Sequence, residues 1–211
     1  VTSPTGLIRL NTWHHVAIVR AGVNTLLMFV DGALRYANGA LNFGTATTGG
    51  TFSLGSYFFN INGDGSWFNG YVSNFRIVNG TSIYSINFTP PTGPLVAVAG
   101  TTLLTCQTDN LIDSSLNNLT ITRFGDTVVQ YVNPFGLTTN AIASTFFDGT
   151  GDYLSVGQTT QTDLGSGSFT LEMWVYFTGI NAVNVNITGK WNSSSQWILQ
   201  LRGPGQDSIA N

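Results

Sequence analysis

The sequence predicts an all-β antiparallel sandwich of the jelly-roll kind, and three observations point there. Short apolar runs recur at intervals of roughly 8–12 residues, the spacing of strands in sandwiches and barrels. Clusters of Gly, Asn, Asp and Ser separate these runs, as tight turns require. No window sustains the 3.6-residue apolar period of an amphipathic helix. Composition agrees: 42% of the 211 residues are apolar, 12% are aromatic, and 25 are glycine against 6 proline. That content excludes a disordered chain, which is poor in aromatic and β-branched residues. The length suits one large domain or two small ones.

The strands can be read in order. His15–Arg20 is an apolar run that ends at Gly22 and Asn24. Leu26–Val30 and Ala33–Tyr36 flank Asp31-Gly32, the dipeptide favoured in type I′ hairpin turns because both central residues take positive φ. Phe52–Tyr57 is a further strand. In the next, Tyr71, Ser73, Phe75 and Ile77 alternate with Val72, Asn74, Arg76 and Val78, which places each set on one face. Thr81–Tyr84 is long enough for one helical turn. Thr89-Pro90-Pro91-Thr92-Gly93-Pro94 reads as an extended connector, since proline supplies no ladder donor. A strand-like segment runs from Thr101 to Tyr131. Phe169, Leu171, Met173, Val175 and Phe177 form the core face of a long strand, and Thr170, Glu172, Trp174 and Tyr176 face solvent or a partner. Gln196–Leu201 repeats the pattern with Trp197, Leu199 and Leu201.

Charge narrows the function classes. Charged residues make up 8% of the chain, against about 25% in an average soluble domain. The formal net charge is −3, with seven Lys plus Arg, too few to track a phosphate backbone, so nucleic acid is excluded as a partner. No apolar run approaches the ~18 residues of a membrane helix, so no membrane insertion is expected. There is a single lysine, Lys190, and a single glutamate, Glu172. A surface with so few charges suits a protein held in an assembly. Cys106 is the sole cysteine and reads as a small buried hydrophobe. The chain opens at Val1 almost in mid-strand, as expected of a processed protein or an excerpt of a longer one.

Several phrases carry a resemblance. Trp13-His14-His15-Val16-Ala17-Ile18-Val19-Arg20 followed by Val30-Asp31-Gly32 resembles the second half of a laminin-G-like, concanavalin-A-like jelly roll. Residues 68–80 (FNGYVSNFRIVNG), then Tyr84, Phe88 and Pro90-Pro91, resemble its closing strands. Residues 147–156 (FDGTGDYLSV) and 168–176 (SFTLEMWVY) resemble its opening strands. The two halves thus stand in swapped order. The resemblance implies that residues 1–92 are the C-terminal half of one such domain and residues 143–211 the N-terminal half of another. Residues 93–142 would be a strand-containing spacer, as in tandem-domain structural proteins of marine and cyanobacterial tailed phages. Neither half can bury its apolar face alone. The sandwich is therefore either circularly permuted, and closed within the chain, or completed by a neighbour, which would build a homo-oligomer or a head-to-tail filament.

The superfamily includes glucanases, so the resemblance raises hydrolysis as an activity. It needs two carboxyl groups about 5–5.5 Å or 6.5–9.5 Å apart. No acid pair shares a strand, and Glu172 has Thr170, Trp174 and Tyr176 as same-face neighbours. No catalytic residue is therefore expected, and Glu172 reads as a structural acid. His14 and His15 project to opposite faces and cannot chelate one metal as a pair, so one is expected to pack and the other to be exposed. Asn62-Gly63-Asp64-Gly65-Ser66 offers alternating oxygen donors, which makes Asp64 a candidate calcium ligand. The position that completes an EF-hand is Ser73, so a hairpin loop with Asx turns is the competing explanation. Otherwise no cofactor is expected. Gly149-Thr150-Gly151-Asp152 reads as a tight turn before Tyr153, without the helix and lysine of a phosphate loop. Tyr57, Trp67 and Trp191 sit beside turn residues and could stack on sugar rings, or else cap the core or a subunit contact. The expected function is a non-enzymatic structural and adhesive module, virion-associated or at a cell surface, with a host-surface glycan as ligand. A carbohydrate-binding module of a bacterial extracellular adhesin and a glycoside hydrolase are the alternatives.

Overall fold

The structure is a computed structural model that describes residues 7–40, 50–56, 67–137, 142–179, 184–191, 196–202 and 209–210. The first stretch read from the sequence, residues 1–92, contributes β1 (Trp13–Ala21), β2 (Thr25–Val30), β3 (Ala33–Asn38), β4 (Thr51–Leu54) and β5 (Asn69–Asn79). Residues 93–142 add β6 (Thr101–Thr105), β7 (Ile121–Phe124) and β8 (Val128–Gln130). Residues 143–211 add β9 (Ser144–Asp148), β10 (Tyr153–Val156), β11 (Phe169–Phe177), β12 (Asn184–Trp191), β13 (Gln196–Arg202) and β14 (Ile209–Ala210). No helix occurs among the described residues.

Two antiparallel sheets result, and the chain is all-β as its sequence predicts. The larger has the order β3-β2-β1-β11-β5-β9-β8, and the smaller β14-β13-β12-β4-β10-β7. Each sheet draws strands from all three stretches. β11 hydrogen-bonds to β1 on one side and to β5 on the other. β4 lies between β12 and β10 in the same way. The free edge of β5 is shared: β9 pairs with Asn69–Val72 and β6 with Phe75–Val78. Between the sheets lies one core that includes Val16, Met28, Phe52, Phe68, Phe75, Phe147, Met173 and Phe177. Phe68 meets Phe147 and Phe177 edge-on at 5.8 and 5.1 Å, an arrangement aromatic rings prefer.

Where the pattern departs from the simple alternation, a local cause is visible. On β5 the period breaks at Asn74, which has φ 56. Between the pairs Glu172–Arg76 and Trp174–Ser73, one residue of β11, Met173, stands against two of β5, Asn74 and Phe75, so one residue is inserted as a bulge. Val72 therefore joins Phe75 and Ile77 in the core, while Tyr71 turns outward to Trp13 and Phe146. Thr81–Tyr84 forms no helical turn. It is tethered to β11 instead: Ile83 N donates to Thr170 Oγ1, which donates in turn to Thr81 O. β4 stops at Leu54, short of the expected Tyr57. Gly55 has φ 91, and a Cβ there would lie 2.3 Å from the Phe147 ring. β12 is a strand that the apolar pattern did not reveal.

The outer face of β11 is also not open along its length. Residues 80–98 cross it as a strap, and Thr170 and Glu172 beneath are both 0% exposed. Tyr84 and Phe88 of the strap stack at 3.6 Å and close a second apolar cluster over Ala17, Val19, Leu27 and Phe29. The strap is held at both ends. Phe88 N donates to Gly32 O, and Leu95 N donates to Asn74 Oδ1.

The Asp31-Gly32 turn has φ 52 and 74, the two positive values that a type I′ hairpin demands. A Cβ on Gly32 would come 1.9 Å from Phe88 O. Gly32→Ala should therefore cost about 2 kcal/mol or more in urea unfolding, from the left-handed backbone and the displaced strap together. Gly39→Ala, with open space around the new methyl, should change stability by less than about 0.5 kcal/mol.

Candidate functional site

An acid in a sandwich is where hydrolytic chemistry would reside, and the chain's one glutamate is buried. Glu172 lies on the outer face of β11, opposite Ala17 of β1 and Arg76 of β5. Its Oε1 accepts Arg76 Nε at 3.0 Å and Nη2 at 2.5 Å. Its Oε2 accepts Tyr84 Oη at 2.8 Å and faces His15 Nε2 at 3.2 Å. Arg76 Nη1 reaches the strap at Val96 O, 2.6 Å away. Burial alone would raise the Glu172 pKa, but the His15 hydrogen bond and the Arg76 charge outweigh it and hold the carboxyl below its ordinary value. Tyr84 is pushed up, by burial and then by the neighbouring carboxylate. Both oxygens of the chain's one glutamate are thus occupied, and the side chain is fully buried. Its role here is to fasten β1, β5, β11 and the strap together.

Both histidines are buried, at 3% and 0% exposure, so neither is the exposed one that the sequence suggests. His14 Nδ1 donates to Asp31 Oδ2 at 2.8 Å, and Arg9 N donates to His14 Nε2 at 3.0 Å. That pair of partners defines a neutral ring carrying its proton on Nδ1. Burial would raise the Asp31 pKa, but hydrogen bonds from His14 and the His15 amide more than reverse it. Hence the two rings face opposite ways, yet each finds an acid to bury against. Cys106 is buried as expected, and burial pushes its thiol up to about 11.

A second polar tie joins the sheets. Lys190 of β12 is 0% exposed and donates to Thr159 O, Thr162 Oγ1 and Asp163 Oδ1. Asp163 O accepts from Asn79 Nδ2 at the end of β5, 2.7 Å away. The loop between β10 and β11 is pinned to both sheets by these contacts.

One acidic cluster was not visible in the sequence. Asp126 follows β7, Asp148 ends β9 and Asp152 precedes β10, and their carboxylate oxygens lie within 4.8 Å of one another. Asp152 is 1% exposed, and its two oxygens accept the backbone amides of Asp126 and Asp148 at 2.8 and 2.9 Å. Its pKa is raised, by burial first and then by its two acidic neighbours. Asp152 thereby acts as a clamp between two loops. The signal in the sequence was the Gly-rich 149–152 turn, but only the pairings of β7 with β10 and of β8 with β9 bring Asp126 beside it.

Of the candidate ligand residues, Tyr57 and Asp64 lie outside the described residues. Trp67 is half-buried, 6.1 Å from Tyr153, which stacks on Phe124 at 4.4 Å. Trp191 is half-buried opposite Thr51, at the other end of β4 from Leu54, which pairs with Leu154 next to Tyr153. The structure does not bring Trp67 and Trp191 together. It builds a different aromatic surface, on the outer face of the larger sheet beyond the strap. Trp13 of β1 is paired with Tyr176 of β11, Tyr176 with Tyr71 of β5, Tyr71 with Phe146 of β9, and Phe146 with Val128 of β8. Trp13, Tyr176 and Tyr71 form a compact triangle, with centroids 5.5, 5.7 and 6.3 Å apart, Phe146 lies 4.9 Å beyond Tyr71, and all four rings are half-buried. Tyr71 Oη donates to Gln130 Oε1 at 3.2 Å. On one flank Phe135 packs edge-on against Trp174. On the other, Asn69 pairs with Asp148, and Thr178 Oγ1 donates to Asn69 Oδ1.

Residues 1–82 match a laminin-G family model described as the Concanavalin A-like lectin/glucanases superfamily. The match supports a laminin-G/concanavalin A-like domain. It covers β1 to β5, the strands that set the register of the larger sheet and supply Trp13 and Tyr71. Neither the curated proteins nor the solved structures give a match. The superfamily holds lectins and glucanases alike, so the fold leaves the choice between them to the chemistry of the surface.

The Glu172 network generates a pH dependence of definite sign. A carboxyl with a depressed native pKa stabilises the fold fully above its unfolded value, and that contribution is lost as pH falls through the native one. Thermal stability should therefore drop from about pH 5 downward. Glu172→Gln should cost about 3 kcal/mol at pH 7 by stranding Arg76, and should flatten the acid limb. Asp31 acts with the same sign in both proteins, so the difference between the two melting curves reports Glu172.

Proposed function

We propose that the chain is a non-enzymatic structural and adhesive module of a virion or cell-surface protein, and that it binds carbohydrate on the outer face of its larger sheet. One observation carries this: the compact aromatic cluster of Trp13, Tyr176, Tyr71 and Phe146, half-exposed on an otherwise weakly charged protein. Sugar rings pair an apolar C–H face with a rim of hydroxyls. Aromatic rings flanked by amide, hydroxyl and carboxylate groups offer the matching surface. The state of the described acids supports the non-enzymatic reading. Glu172 is saturated and covered, and both oxygens of Asp152 are held by backbone amides.

Closure within a single chain is favoured over head-to-tail completion. β11 lies between β1 and β5, and β10 and β12 lie on either side of β4, which supports a core completed by the chain's own second half. The order of the halves then amounts to a permutation of the family's order.

A glycan array followed by calorimetry tests the adhesive role. Binding is expected, and Trp13→Ala or Tyr71→Ala should weaken it at least tenfold, about 1.4 kcal/mol, whereas Trp67→Ala should leave it unchanged. Silence across a broad panel would overturn carbohydrate binding, and release of reducing ends from a glucan would overturn the non-enzymatic assignment. In light scattering the isolated chain should remain monomeric, and growth with concentration would argue for completion between chains.

A further inference from the structure

We infer that this face recognises a single terminal sugar ring and makes no use of the units behind it. The inference rests on the carbohydrate reading above and deepens it. The size and tilt of the cluster carry it. Trp13, Tyr176 and Tyr71 belong to three adjacent strands in register. Their rings nevertheless lean together into a triangle with sides of 5.5, 5.7 and 6.3 Å, about the footprint of one six-membered sugar ring. The ring planes cross at 59°, 80° and 52°, and Phe146 meets Tyr71 at 45°. An extended saccharide stacks unit by unit on rings that share a plane, and none of these contacting pairs does. Along the strands the patch is short. Phe135 packs edge-on against Trp174 on one side, and Thr178 Oγ1 is turned onto Asn69 Oδ1 on the other.

The polar atoms of the triangle suit the hydroxyls of one such ring. Tyr71 Oη donates to Gln130 Oε1 at 3.2 Å and keeps its lone pairs for an incoming hydroxyl. No described residue bonds to the indole N–H of Trp13 or to the hydroxyl of Tyr176, and neither atom is sealed from solvent. The cluster therefore presents one N–H donor, one hydroxyl that can donate or accept, and one further acceptor, all around a single apolar patch. A contact of this size binds weakly, with a Kd of the order of 1 mM. Adhesion through it depends on many copies held together, since linked sites gain about 10²–10⁴ in avidity without any new contact.

The test is NMR of the full chain, by saturation transfer and titration. The probes are methyl glycosides of glucose, galactose, mannose, fucose, N-acetylglucosamine and sialic acid, each beside longer glycans that carry it at the non-reducing end. At least one methyl glycoside should bind, with saturation transfer concentrated on the terminal unit of the matching glycans. Its Kd should lie within about fivefold of theirs, since further units add no contact. Tyr176→Phe and Trp13→Phe keep an aromatic ring in place, so the fold is preserved. Each removes a hydrogen-bonding group and should weaken the methyl glycoside about two- to tenfold. A larger gain with length, or an array glycan that binds while no methyl glycoside competes, overturns this inference and leaves carbohydrate binding intact. Affinity that neither substitution changes overturns it too, because the sugar then sits elsewhere. Binding to none of these probes, nor to any array glycan, overturns both readings.

Discussion

β11 enters the larger sheet from the far end of the chain and is hydrogen-bonded along its length to β1 on one side and β5 on the other. Without it those two strands would have no common neighbour, and the sheet would fall into two fragments with exposed edges. Its inner residues Leu171, Met173, Val175 and Phe177 are also central to the shared core. The same dependence recurs in the smaller sheet, where β4 is paired only with strands from the second half of the chain. Folding must therefore wait for contacts between residues more than a hundred positions apart, a costly closure that slows β-rich domains. Once formed, the two halves can only separate by breaking both sheets.

The outer face of the larger sheet is divided between two uses. Over Ala17, Glu172 and Arg76 the strap excludes water, and a buried carboxylate is tolerable because Arg76, His15 and Tyr84 satisfy it. Four to five residues further along the same strands the cover ends, and the side chains become Trp13, Tyr176 and Tyr71. The division falls where the β5 bulge lies. Asn74 makes the bulge, and its side chain also anchors the strap at Leu95 and accepts Gln107 Nε2 at 3.0 Å. One inserted residue thus fixes the cover and turns Tyr71 outward.

Much of the fold was legible in the residues. Apolar alternation located β1, β2, β11 and β13, and Asp31-Gly32 named its own turn. Glu172 could be read as structural because no second acid shares its strand. The register of β5 could not be read past the bulge, since Asn tolerates positive φ without announcing it in the apolar pattern. β12 escaped because Asn184–Trp191 mixes polar and apolar residues around Gly189. The aromatic cluster was hidden for a different reason. Its members are single residues on four strands, and only the cross-strand pairing places them side by side; sequence reasoning looked for exposed aromatics in loops instead. The acidic cluster is likewise a product of tertiary pairing between distant turns.

The burial of Lys190 has a practical corollary. The chain's sole lysine is wholly enclosed and engaged by three oxygen acceptors. While folded, these 211 residues present no side-chain amine to acylating reagents, so ester-based dyes and cross-linkers find no lysine to couple to within them. Acylation at Lys190 would then mark opening of the contact that ties the two sheets, turning an ordinary labelling reaction into a clock for local unfolding.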